Sequence, residues 1–159
     1  MLKIKIISIG KIKEKSLVSL LAEYEKRLSK YIKFENVILN DLPCQDNMSQ
    51  NEIELLLKKE AVNILKILNE KAYIISMCIE GKKLSSTELA DKLKSISMNN
   101  SEIDIIIGSS YGLCDEIKKK SDLLLSMSDM TFPHNLAKLM ITEQIYRALK
   151  INNNEIYHK

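Results

Sequence analysis

Three short stretches of the chain carry residue types that chemistry needs. The first is Gly108-Ser109-Ser110-Tyr111-Gly112, which follows an apolar run and leads toward a polar, helix-like segment. Glycines in such a place permit positive φ and let the backbone approach a ligand closely. The stretch is neither G-x-G-x-x-G nor a phosphate loop ending in G-K-[ST], so it reads equally as a tight turn or a nucleotide-type site. The second is Ser128-Asp129-Met130-Thr131-Phe132-Pro133-His134. It can be a plain connection with Pro133 set just before a helix, or a set of donors and acceptors at a strand end. His134 fits a capping or packed role more readily than a catalytic one. The third is the terminal Tyr157-His158-Lys159. Chain ends usually fray, yet an aromatic, an imidazole and a cation together can stack on, hydrogen-bond and neutralise a nucleotide.

Other chemistries lack their residues. Cys44, Cys78 and Cys114 form an odd set without C-x-x-C, and only His134 and His158 could join them. Neither zinc spacing nor a disulfide framework results, so no metal is expected. Cys78 lies in an apolar run and reads as a small core residue. There is no nucleophile elbow and no H-E-x-x-H. Glu143 and Arg147 are spaced i,i+4, which reads as an ion pair within one helix.

These residues need elements to hold them. The spacing predicts strands at 2–9, 34–39, 73–79, 103–107 and 123–127. It predicts helices at 16–30, from the Ser49/Glu52 capping box to about 69, from the Ser85/Glu88 box to about 97, near 114–121, and at 135–150. Gly81 is expected to turn the chain after the third strand. Strands alternating with helices argue for a doubly wound, mostly parallel α/β sheet. Ligands of such sheets lie beyond the carboxyl ends of the strands. That rule selects the loops after 79, 107 and 127, two of which carry the first two stretches above.

Composition sets the outer bounds. At 159 residues, 45% hydrophobic and 28% charged, the chain fits one domain, 1–159, with a real core. No apolar run is long enough for a membrane span or a signal-peptide core, so no membrane role and a cytoplasmic location are expected. The net charge of +3 comes from 24 basic and 21 acidic residues. All the basic residues except Arg27 and Arg147 are lysines, a skew that looks like coding bias. The charge is compatible with an RNA partner without demanding one.

Read together, Ile9-Gly10-Lys11, EYEKRL at 23–28, IEGK at 79–82, LSS at 84–86, IIIGSSYGL at 105–113, LSMSDMTFPH at 125–134, EQIYRA at 143–148 and the terminal YHK resemble the ribosomal RNA large subunit methyltransferase H family. These are small bacterial SPOUT-class enzymes, and the matching blocks span the whole chain. The resemblance implies an α/β fold with a C-terminal trefoil knot and S-adenosylmethionine as methyl donor. It further implies methylation of N3 of a pseudouridine in 23S rRNA of the assembled ribosome, by a homodimer.

Carried over residue by residue, the cofactor contacts are Met77, Gly108, Met127, Ser128, Asp129, Met130, Thr131 and Phe132. His158, with Tyr157 beside it, is the candidate base, acting on a target bound by a partner subunit. Lys11, Lys13, Lys15, Lys138 and Arg147 are candidates for RNA phosphates. Three positions depart from the family pattern: Ser109 replaces a second glycine, Met77 replaces a leucine, and Lys138 replaces an arginine. The competing reading is a noncatalytic RNA- or nucleotide-binding module, which Ser109 alone favours.

Overall fold

The computed structural model describes residues 1–159. Five strands, β1 (Lys3–Ile9), β2 (Lys33–Leu39), β3 (Tyr73–Lys83), β4 (Glu102–Ile107) and β5 (Leu123–Ser126), alternate with five helices. The helices are α1 (Lys15–Leu28), α2 (Gln50–Ile67), α3 (Ser86–Ser97), α4 (Asp115–Lys120) and α5 (His134–Asn152). The strands form one sheet in the order β2-β1-β4-β3-β5, and every pairing is parallel. Parallel neighbours need crossovers, and the amphipathic helices supply them. Both capping boxes form, Ser49 with Glu52 and Ser85 with Glu88.

Each face of the sheet is covered. Ile4, Ile6, Ile75, Ile103 and Ile105 pack under α1, α3 and α5, together with Leu28, Leu93 and Ile145. Ile7, Ile9, Ile74 and Ile106 pack under α2 and α4 against Ala61, Ile64 and Ile117. Alternation along β1 places Ser8 on the first of these faces and Lys5 on the second.

At the start of the sheet, Lys5 is 6% exposed. Its ammonium lies 3.1 Å from Asp104 and 3.5 Å from Glu102, and it donates to the carbonyl of Ile67 at 2.9 Å. Asn69 completes the set, its backbone N–H donating to Asp104 and its side-chain amide to Glu102. Lys3 bridges Glu102 to Glu35. A buried charge is tolerated when it is paired and hydrogen-bonded, and this cluster ties the end of α2 to β1 and β4.

One expectation fails in β3. Gly81 does not turn the chain, because the strand runs on to Lys83. Both Met77 and Lys82 pair with Leu125, so residues 78–81 bulge out of the ladder. A Cβ on Gly81 would lie 2.7 Å from backbone atoms of Leu124 and Leu125. The glycine is there because another backbone crosses directly over it.

Candidate functional site

The C-terminal ends of β3, β4 and β5 enclose a cavity of about 900 Å³, within the range of small-molecule sites. Three loops build it: the bulge Cys78–Glu80, the turn Gly108–Leu113, and the connection Met127–His134. Met77, Ile107, Met127 and Phe132 give it apolar walls. Charge enters through Glu80 and Lys118, which pair with each other, and His134 opens α5 at the edge. No three His, Cys, Asp or Glu side chains come together as a metal site would require.

Local bonds fix each loop. Gly112 donates its N–H to the Ser109 carbonyl at 2.9 Å and takes φ +88° to close the turn. A Cβ on Gly108 would stand 2.2 Å from the carbonyl oxygen of Gly112. Gly108 is thus required by close packing of the turn on itself, not by positive φ. Ser109 does not adopt positive φ, so the side chain costs no strain. Its hydroxyl donates to Glu60 at 2.9 Å. Glu60 is a buried carboxylate on α2, and burial pushes its carboxyl above the usual range. In the third loop, Ser126 donates to the carbonyl of Ser128, and the Ser128 hydroxyl accepts from the N–H of Met130.

Of the expected cofactor residues, Met77, Gly108, Met127, Ser128, Met130, Thr131 and Phe132 all line this cavity. Asp129 is not among the lining residues. Its exposed carboxylate instead accepts from Lys83 at 2.6 Å. Cys78, expected in the core, is only half-buried and lines the cavity, because the bulge carries it out of the ladder.

Lys138 departs furthest from expectation. It is 3% exposed, and its ammonium donates to the Ser8 hydroxyl at 2.8 Å. A phosphate on the surface of the chain is beyond its reach. No carboxylate lies within ion-pair distance, and burial lowers its pKa to about 8. The helical register explains the placement: Lys138, Ile141, Thr142 and Ile145 fall on the face of α5 that packs on the sheet. Lys11, Lys13 and Lys15 are exposed.

Arg147 forms the expected pair with Glu143 at 2.6 Å. Glu143 does more than that spacing suggests, since it also accepts from the Tyr157 hydroxyl at 3.1 Å. The tail is therefore docked rather than frayed. Tyr157 sits edge-on to Tyr146 with centroids 5.0 Å apart, and the Arg147 guanidinium lies 4.8 Å from the Tyr157 ring centroid. Burial, with side-chain hydrogen bonding to Tyr24 and to the accepting Glu143 carboxylate, pushes the Tyr157 phenol far up, so it stays protonated. His158 is exposed, its Nδ1 3.4 Å from Arg147. Neither Tyr157 nor His158 lines the large cavity of its own chain.

A second cleft of about 510 Å³ lies among α1, the start of α3 and α5. It is lined by Leu20, Tyr24, Leu139, Met140 and Glu143, among others, and it shares Leu125, Ser126 and Met127 with the first.

Sequence reasoning missed Glu60, Lys118, Ser8 and the hub role of Glu143. Lys118 sits in a run of three lysines and carried no signal. Glu80 lies within IEGK, where a lone carboxylate carries no chemical signal of its own.

Residues 2–158 match the family model described as "Predicted SPOUT methyltransferase", and the chain belongs to the SPOUT methyltransferase family. It is 45% identical to the ribosomal RNA large subunit methyltransferase H of Clostridioides difficile (strain 630), over 99% of this chain and 100% of that protein. The proteins of the same name from Streptococcus suis and Bacillus cytotoxicus are 44% and 45% identical over the same shares. Among solved structures, the tRNA (m1G37) methyltransferase of Aquifex aeolicus has a similar fold. Its TM-score is 0.51 at 17% identity, covering 92% of this chain and 69% of that one. No helix is long and apolar enough to cross a membrane.

Proposed function

We propose that the protein uses S-adenosylmethionine to methylate N3 of a pseudouridine in the 23S rRNA of the assembled ribosome. The observation that carries this reading is the convergence of Met77, Gly108 and five residues of 127–132 on one cavity at the strand ends. The cavity fits the cofactor. Met77, Ile107, Met127 and Phe132 offer apolar surface for an adenine ring, and Gly108 leaves the adjoining wall without a side chain.

When bound, S-adenosylmethionine supplies an electrophilic methyl group on a sulfonium. The chain's task is then to position the target nitrogen in line with it, which is where most of the acceleration of such a displacement arises. The nucleobase imide must also lose its N3 proton, and a nearby base helps. His158 is the residue proposed for that role. Tyr157, held protonated, serves as the anchor that fixes the tail through Glu143.

Because His158 does not line the cavity of its own chain, the site is proposed to be composite, completed by the tail of a second copy in a homodimer. Exposed Leu20 and Leu136 on α1 and α5, beside the apolar second cleft, support a face for that copy. Lys11, Lys13 and Lys15 are the proposed phosphate contacts, with readout by position rather than sequence. A C-terminal trefoil knot, as expected of the family, is proposed within a domain spanning 1–159. Work on ribosomes implies a cytoplasmic location. The noncatalytic reading rested on Ser109, which occupies its site without positive φ and so no longer favours it.

Mass spectrometry of 23S rRNA nucleosides from a deletion strain tests the reaction. Loss of N3-methylpseudouridine is expected, and unchanged levels would overturn the assignment. Mixing subunits tests the composite site. A chain lacking residues 156–159 and a Gly108→Ala chain, each inactive alone, should regain activity when coexpressed as mixed dimers.

A further inference from the structure

The residues lining the large cavity are mostly neutral. Apart from the imidazole of His134, ionisable charge among them is confined to Glu80 and Lys118. Both are placed there by specific features of the chain. The bulge at residues 78–81 leaves Glu80 outside the β3–β5 ladder, and bulges commonly re-aim a side chain in this way. Lys118 comes from α4 and lines the same cavity. The two form an ion pair at the rim, where Lys118 is 24% and Glu80 53% exposed. Each strengthens the charged form of the other: Lys118 holds the Glu80 carboxyl low, and Glu80 holds the Lys118 ammonium high.

A rim pair of this kind contributes little to stability, so opening it to admit a ligand costs little. The other candidate charges near the loops are occupied. Asp129 and Lys83 pair outside the cavity, and Lys138 is buried against Ser8.

We propose that Lys118 and Glu80 form a subsite for the zwitterionic α-amino acid end of an adenosyl ligand. The carboxylate lies against the Lys118 ammonium and the α-ammonium against the Glu80 carboxylate. The inference rests on the methyltransferase reading above and adds an orientation to it: adenine against the apolar wall, the amino acid at the rim beside the bulge. A zwitterion is the ligand that a cation–anion pair complements best, because both of its charges are met at once.

Calorimetric titration with two ligands tests it. S-adenosylhomocysteine carries the amino acid group, and 5′-methylthioadenosine lacks it. The unmodified protein should bind the first at least about tenfold more tightly. Lys118→Gln and Glu80→Gln should each weaken S-adenosylhomocysteine about tenfold while leaving methylthioadenosine within about twofold. Lys118→Arg should keep most of the preference, which separates charge from packing. Equal losses for both ligands in the Gln variants, or no preference in the unmodified protein, would overturn the subsite alone. Failure of the unmodified protein to bind either ligand would overturn the methyltransferase reading itself.

Discussion

The two ends of the sheet treat charge in opposite ways. At the amino end, Lys5 is surrounded by Asp104, Glu102 and the Ile67 carbonyl, and Asn69 fills in the carboxylates. At the carboxyl end, Lys138 is buried as deeply but has one neutral partner, the Ser8 hydroxyl. Close by, loops that meet few ladder bonds surround a cavity whose charges sit at its rim. A polar cluster whose charges are paired holds elements together, even where burial pushes the Asp104 carboxyl up and leaves its Oδ1 without a hydrogen bond. One that leaves charges unmatched costs stability, and such places are where ligands are accommodated.

The contrast can be broken by separating stability from binding. The largest effect is expected at the amino end. Asp104→Ala leaves the buried Lys5 ammonium only the more distant Glu102 and the Ile67 carbonyl, and removing one partner of a buried pair costs about 3–5 kcal/mol. Denaturant unfolding should show that loss, while the folded fraction binds S-adenosylhomocysteine with unchanged affinity. A parallel loss of affinity would show that the two ends are not independent.

Gly108→Ala should do the reverse. The added methyl meets the Gly112 carbonyl at 2.2 Å, so the turn must shift. Overpacking of this kind costs about 1–3 kcal/mol, but ligand titration should show affinity falling by about a hundredfold or more. Retained binding would mean that the turn does not shape the cavity.

Lys138 supplies a prediction of opposite sign. Its folded pKa is lowered to about 8 from 10.5, so in that window the unfolded chain holds more protons than the folded one. Stability must then rise as the pH goes from about 8 to 10.5, and the penalty is fully present below 8. Lys138→Met, of similar length, should therefore stabilise the protein at pH 7 by roughly 2–3 kcal/mol and remove this rise. Urea melts across that pH range check both. No gain at pH 7 would mean that the ammonium has more compensation than Ser8 alone.

The smallest effect is expected at Ser109. Ser109→Ala removes the donor to Glu60, and one hydrogen bond to a buried acceptor contributes about 1–3 kcal/mol. A thermal melt should register the change, with a severalfold weaker ligand affinity as the turn loosens. A Ser109→Ala protein that matches the parent in both would show the tether to be idle.

Much of the architecture was legible because it is written in short-range pattern. Five strands and five helices follow from apolar periodicity, and Ser49/Glu52 and Ser85/Glu88 marked two helix starts to the residue. The cavity loops were also legible, since a parallel sheet places its ligand site at the carboxyl ends. Gly81 was misread for a physical reason: a glycine before two lysines looks like a turn, and nothing local reveals that Leu124 and Leu125 pass over it. Lys138 was misread because a lysine's type says surface, whereas its register on α5 says interior.

The sequence by itself determined the alternation of elements, the parallel sheet, the family and the two loops after 107 and 127 that meet at the site. Local periodicity and capping suffice for the elements, and unbroken resemblance along the chain suffices for the family. Only the tertiary structure decided which charges are matched: Lys5 with Asp104, Glu80 with Lys118, Ser109 with Glu60, Tyr157 with Glu143. It also decided which charge is left buried without a carboxylate. Those partners are separated by 14 to 99 residues in the chain, so no local pattern encodes them. They meet only when the crossovers fold the strand ends together.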